Sequence, residues 1–153
     1  MSEHVAFITW KNSSPNFGKG HYSREHTWHF DGGVTVPASA SPLVVPQPWS
    51  SASAVDPEEA YVASVSSCHM LWWLSIAAKN GFTVKTYADR AVGVMTRNEV
   101  GKLWVSCITL NPTVTYEGKV PSADEEAHLH HLAHEECFIA QSIKTEVRIG
   151  TRG

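Results

Sequence analysis

Thiols are scarce in this 153-residue chain: three cysteines, an odd number, with no CxxC spacing and no HExxH to go with the histidines. That argues against a disulfide framework and against the common zinc motifs, and it favours a reducing compartment in which cysteine serves chemistry or packing. Apolar runs are also short. None approaches the roughly 20 residues that cross a bilayer. The opening MSEHVAFITW has neither the basic region nor the apolar core of a signal peptide, so the expected location is cytoplasmic, with no membrane partner. Charge is sparse, at 18% charged residues and a net −3, which leaves no electrostatic footprint for nucleic acid. There is no internal repeat and no low-complexity tail.

What is present suits one globular domain over residues 1–153. The apolar fraction is 42%, and a chain of this length buries roughly two thirds of its unfolded surface without needing disulfides. The most informative stretch is DPEEAYVASVSSCHMLWWLSIAAKNG, residues 56–81. Asp56 can cap a helix, Pro57 suits its first position, Glu58 and Glu59 favour the positive end of the dipole, and Gly81 stops it. Val62, Val65, Leu71, Trp72, Trp73, Leu74 and Ile76 spread around the cylinder, which predicts burial on more than one side. Small residues, Ala63, Ser64, Ser66 and Ser67, precede Cys68 and let another element come close.

The rest of the chain reads as strands around this helix. Residues 4–10, 21–30 and 34–37 are extended candidates, with Asp31-Gly32-Gly33 as a turn between the second and third. Residues 38–55 form a long Pro/Ser/Ala-rich connection of the kind that often lines a site. Residues 82–97 and 103–116 read as two long strands of a hairpin, the second holding Cys107. Ser122 to Glu125 is a capping box opening a second helix over ADEEAHLHHLAHEECFIA, with a break expected near Cys137, and 142–149 alternate as a final strand. The order β-β-β-α-β-β-α-β predicts an α+β fold with antiparallel sheets.

Several residues could carry chemistry. Cys68 and Cys137 fall on different helices. Facing helices 8–10 Å apart leave Cα atoms at about 3.5–5.5 Å, which overlaps the disulfide range. Two inert core thiols remain an equally open account. Cys107 reads as packing. His130, His134 and Cys137 share a helical face, a spacing that could hold zinc or polarise a thiol; with His128 and His131 it could equally be a solvated polar face. Arg24, the one arginine before Arg90, could stabilise a thiolate, or could be surface. Glu58 could be no more than a first-turn dipole residue.

DPEEAYVASVSSC and HEECFIAQSIKTEV together resemble the osmotically inducible protein and organic hydroperoxide resistance (OsmC/Ohr) family. The first is similar to that family's Asn-Pro-Glu-Glu-Leu segment running into its first cysteine, and the second to the segment around its second. The resemblance spans about residues 21–147. It implies an OsmC-like intertwined homodimer with two central helices packed between sheets, and a thiol-dependent peroxidase acting on alkyl or fatty-acid hydroperoxides. It further implies that Cys68 is the peroxidatic cysteine and Cys137 the resolving one. Glu58 would orient an arginine, for which Arg24 is the candidate. A dithiol reductant, lipoyl-type or another thiol, would reset the pair, and no cofactor is called for. His26 and His69 lie beside these segments and outside the family's general pattern. Trp72, Trp73, Leu43 to Val45 and Trp49 are the expected apolar surroundings. On a straight helix Glu58 and Cys68 stand about 15 Å apart along the axis, so a kink, a mobile arginine loop or a second copy would have to complete the site. The competing reading is a non-catalytic dimer whose cysteines and histidines hold a metal or sense redox state.

Overall fold

The computed structural model describes residues 1–150. They form two compact units, residues 1–60 and the chain from Tyr61 onward.

In the first unit, β1 (Ala6–Thr9), β2 (His26–Phe30) and β3 (Thr35–Ala38) make an antiparallel meander in that order. Gly33 turns the β2–β3 connection with φ +92°, a conformation that costs glycine nothing. The long connection is ordered. Ala38 bridges Val55, Ser39 N–H donates to the Val55 carbonyl at 2.9 Å, and Ser51 N–H donates to the buried Ser39 hydroxyl at 3.0 Å.

Helix α1 (Pro57–Lys79) crosses from the first unit into the second without a break. Its cap is reciprocal, as the sequence predicts. Asp56 Oδ1 accepts from Glu59 N–H at 2.7 Å, and Glu59 Oε2 accepts from Asp56 N–H at 3.2 Å. Gly81, at φ +82°, ends it, and Phe82 N–H reaches back to the Ala77 carbonyl. The buried stripe is Val65, His69, Trp73 and Ala77, spaced at i+4. It feeds two cores: Trp73 and Ala77 pack with Phe82, Val114, Leu129 and Ala133, whereas Val65 packs with Ile108 and Leu110. Both cores lie along this one stripe, so the burial on more than one side that the sequence predicts is not seen: the opposite face carries small residues and Leu71, which is 61% exposed.

The hairpin following α1 departs from the two long strands that the sequence suggests. Each strand is broken at its middle, into β4 (Thr83–Asp89) and β5 (Val92–Arg97), and into β6 (Leu103–Leu110) and β7 (Pro112–Glu117). β4 pairs with β7 as a two-stranded sheet, while β5 and β6 belong to a second sheet. The corner is chemical. Asp89 Oδ1 accepts from Asn111 N–H at 2.6 Å, Asn111 Nδ2 donates to the Arg90 carbonyl at 2.9 Å, and Pro112 has no N–H to continue a ladder. The antiparallel rule also has one exception: β8 (Glu146–Ile149) runs parallel to β6. It is tied to α1 through Tyr61, whose hydroxyl donates to Thr145 Oγ1.

Gly93 in β5 marks where α1 presses on this sheet. A Cβ there would stand 2.5 Å from Val62 Cγ2. Gly93→Ala should therefore destabilise the protein by about 1–3 kcal/mol, the usual cost of overpacking. Adding Val62→Ala should recover part of it in denaturant melts, and an unchanged midpoint in the single variant would refute the close approach.

Candidate active site

Helix α2 (Ala123–Glu136) starts on the predicted capping box. Ser122 Oγ accepts from Glu125 N–H, and Glu125 Oε2 accepts from Ser122 N–H at 2.8 Å. It breaks at Cys137, which is the C-cap of α2 and the N-cap of α3 (Phe138–Gln141) with extended backbone, φ −66° and ψ 109°. The break turns the Cys137 sulfur inward, where it accepts from Ala140 N–H at 3.5 Å.

Cys137 is 1% exposed, and the Cys68 thiol is near enough to act on its ionisation. Cys68 is half-buried beside the α1 stripe, and all three cysteines are free thiols. Their neighbours meet as well: the Trp72 ring, one turn beyond Cys68, sits edge-on to Phe138 at 5.4 Å. Burial pushes the Cys137 thiol up to about 11. The Ala140 N–H opposes this, and the neighbouring Cys68 thiol reinforces it. At pH 7 only about one Cys137 in 10⁴ is then a thiolate. Cys137 is thus protonated at neutral pH, and Cys68 is the more accessible of the two sulfurs.

Beneath the thiols lies a contact the sequence did not disclose. His69 Nε2 and His130 Nδ1 are 3.0 Å apart in the core, the rings stacked at 9°, and Trp73 stacks on His130 at 5.2 Å. Both histidines are buried, at 1% and 5% exposure. Of the polar face expected on α2, His130 is therefore internal, His134 is half-buried with its Nδ1 enclosed, and His128 and His131 are exposed. Among the described residues, no three His, Cys, Asp or Glu converge as a metal ion would require. The available signal for the His69–His130 contact was position: His69 falls on the i+4 stripe with Val65, Trp73 and Ala77, and a histidine there needs a buried partner.

Burial lowers the His69 pKa to about 4; His130 and His134 push the same way and Asp89 opposes. The unfolded chain takes up this proton near 6.5 and the folded one only near 4. Its contribution is thus intact above pH 6.5 and is lost as pH falls towards 4, by about 3 kcal/mol at most. Urea melts at pH 7 and pH 4.5 should show this loss, and His69→Leu should flatten it; an equal acid sensitivity in the variant would contradict the assignment.

The other sequence-selected residues lie elsewhere. Arg24 is in the first unit, half-buried. Its guanidinium donates to the carbonyls of Gly20 at 2.9 Å and Tyr22 at 2.6 Å, and lies 3.6 Å over the Tyr22 ring. It forms no ion pair with Glu58 among the described residues. Arg24 helps line a cavity of about 400 Å³ with Trp10, Phe17, Tyr22, His26, Ala40 and Pro57. His26 accepts from Trp28 Nε1 at 3.0 Å. Because α1 is unbroken, Glu58 stays about 15 Å up the helix from Cys68. Trp73 is fully buried and lines no surface; Leu43 is fully exposed, and Trp49 stacks on His21. Cys107 sits in β6 beside Thr109, in register with Glu146.

The sequence pattern of the OsmC-like protein family matches residues 50–152. Among solved structures, an OsmC-like protein of unknown function from Vibrio cholerae is 52% identical, covers 98% of this chain and 99% of its own, and superposes with a TM-score of 0.94. An organic hydroperoxide resistance protein from Legionella pneumophila is 16% identical over 97% of this chain and 96% of its own, TM-score 0.70. The organic hydroperoxide resistance protein OhrB of Bacillus subtilis is also 16% identical, over 97% of this chain and 98% of its own, TM-score 0.68. At that identity the last two establish likeness of fold. No curated protein matches the chain significantly.

Proposed function

Because this chain belongs to the OsmC-like protein family, we propose that it is a thiol-dependent peroxidase that reduces organic hydroperoxides through Cys68 and Cys137. The observation that carries the reading is the interacting pair itself: one half-exposed thiol on a long helix, and one buried, protonated thiol at a helix break.

The chemistry runs in three steps. The Cys68 thiolate attacks the distal peroxide oxygen; the O–O bond breaks, Cys68 becomes a sulfenic acid, and the departing alkoxide takes a proton to leave as alcohol. The Cys137 sulfur then attacks the Cys68 sulfur. Its proton joins the departing hydroxide as water, and a disulfide forms. A dithiol, lipoyl-type or another, returns the two thiols and is itself oxidised to a disulfide.

Arg24 is our choice for the cation that favours the Cys68 thiolate, with Glu58 orienting it. One copy's Glu58 cannot reach its own Cys68 along a straight helix, which supports a homodimer in which a second copy completes the site. Exposed apolar side chains give that copy something to cover, among them Phe7 and Ile8 in the first unit and Val94, Met95 and Leu103 in the second. The two units then work as one domain. No helix among the described residues is long and apolar enough to cross a membrane, and three free thiols suit a reducing cytoplasm. The exposed Leu71 and Phe138 beside Trp72 favour an alkyl chain on the peroxide.

The test is peroxide consumption with a dithiol donor. tert-Butyl hydroperoxide should be consumed at least about tenfold more efficiently than hydrogen peroxide, the discrimination a few apolar contacts supply. No consumption above that of the free dithiol would sink the reading.

A further inference from the structure

We propose that the buried His69–His130 pair is a positioning element for the two thiols: it fixes the angle at which α1 and α2 cross, and so keeps Cys137 within bonding reach of Cys68. The proposal rests on the redox reading above and adds a role for residues outside it.

The leverage comes from unequal spacing along the two helices. His69 is the residue after Cys68, a step of about 1.5 Å along α1, whereas His130 is seven residues before Cys137, about 10 Å along α2. The imidazole contact is thus a fulcrum near the thiol on one helix and a long arm from it on the other. A rotation of about 10° at the fulcrum swings the far end of that arm by almost 2 Å. The whole Cα–Cα window for a disulfide is only about 2.4 Å wide. The crossing angle must therefore be held to roughly ten degrees for Cys137 to close on Cys68.

Apolar packing alone holds an angle loosely. Trp73 and Ala77 meet Leu129 and Ala133 in the core, but such contacts are non-directional. The imidazole bond is directional: 3.0 Å, between rings parallel to within 9°, with the Trp73 ring against His130. The tautomers follow from the surroundings. Glu126 Oε1 lies 4.0 Å from His130 Nε2, which favours the proton on that nitrogen. His130 Nδ1 then accepts, and His69 Nε2–H donates. The low His69 pKa keeps that imidazole neutral at physiological pH, so that it offers a single N–H to its partner. His134, Asp89 and Glu126 are the charged or titratable groups around it.

Two rates separate this role from a general loss of structure. One is consumption of the first equivalent of tert-butyl hydroperoxide, which needs Cys68. The other is appearance of the Cys68–Cys137 disulfide, which needs the two helices held at the right angle. In His69→Leu the first should stay within about twofold of the parent chain while the second slows by about tenfold to a hundredfold, the cost of a misplacement near 1 Å. Sulfinic acid on Cys68 should rise accordingly. His130→Phe keeps a ring against Trp73 and removes the acceptor; it should show the same split and serves if His69→Leu does not fold. His69→Gln, which retains a donor at similar reach, should recover part of the rate. A folded His69→Leu or His130→Phe that closes the disulfide at the parent rate overturns the proposal. A parent chain that forms no Cys68–Cys137 bond overturns the proposal and the redox reading together.

Discussion

Cys68→Ser is expected to abolish peroxide reduction, lowering kcat/KM by at least about a thousandfold, as removal of a sole nucleophile does. A serine hydroxyl is too weak an acid and too hard a nucleophile to replace a thiolate at neutral pH. Cys137 cannot substitute. It is 1% exposed and its thiol is held near 11, so the reactive form is present at about one part in 10⁴. The substitution should leave the fold intact, because Cys68 is half-buried beside the α1 stripe rather than on it. Unchanged melting with lost turnover is the expected pair of results. Turnover that survives would place the chemistry at another sulfur, and Cys107 would be the residue to examine.

Cys137→Ser should produce a different failure. The first equivalent of hydroperoxide should react at close to the normal rate, since Cys68 is untouched. Continued turnover should then fall on the order of a hundredfold, because the intramolecular partner is gone and an external thiol must find the sulfenic acid from solution. A second equivalent should carry Cys68 to sulfinic acid, visible as a mass gain of two oxygens on its peptide. Folding should tolerate the change: the position is the N-cap of α3, where its side chain accepts from Ala140 N–H, and serine is a better N-cap than cysteine. A variant that turns over steadily at the parent rate would show that Cys137 resolves nothing.

How much of this was legible in the residues follows from the range of the forces involved. The ends of α1, the capping box of α2 and the break at Cys137 are set by side chains within a few positions of one another, so local pattern discloses them. The division of 82–97 and 103–116 into four strands depends on Asp89 meeting Asn111, 22 residues away, and alternation alone carries no sign of it. The parallel seating of β8 on β6 is likewise a long-range choice. The thiol pair was reachable through the two cysteine segments and helix geometry, but not the protonation of Cys137, which comes chiefly from burial. The imidazole pair is not legible there, because the spacing of the α2 histidines suggests one polar face, whereas His130 points into the core and His131 out of it. Trp73 lies in the core rather than among the substrate's surroundings for a similar reason: hydrophobicity says that a ring is buried, not which layer buries it.

The most direct measurement is to treat the reduced protein with one equivalent of tert-butyl hydroperoxide, block the remaining thiols, digest without reductant and identify the cross-linked peptides. The account predicts a single linkage, Cys68 to Cys137, within each chain, with Cys107 recovered as a blocked thiol. Recovery of all three cysteines as blocked thiols, or a linkage through Cys107, would contradict it.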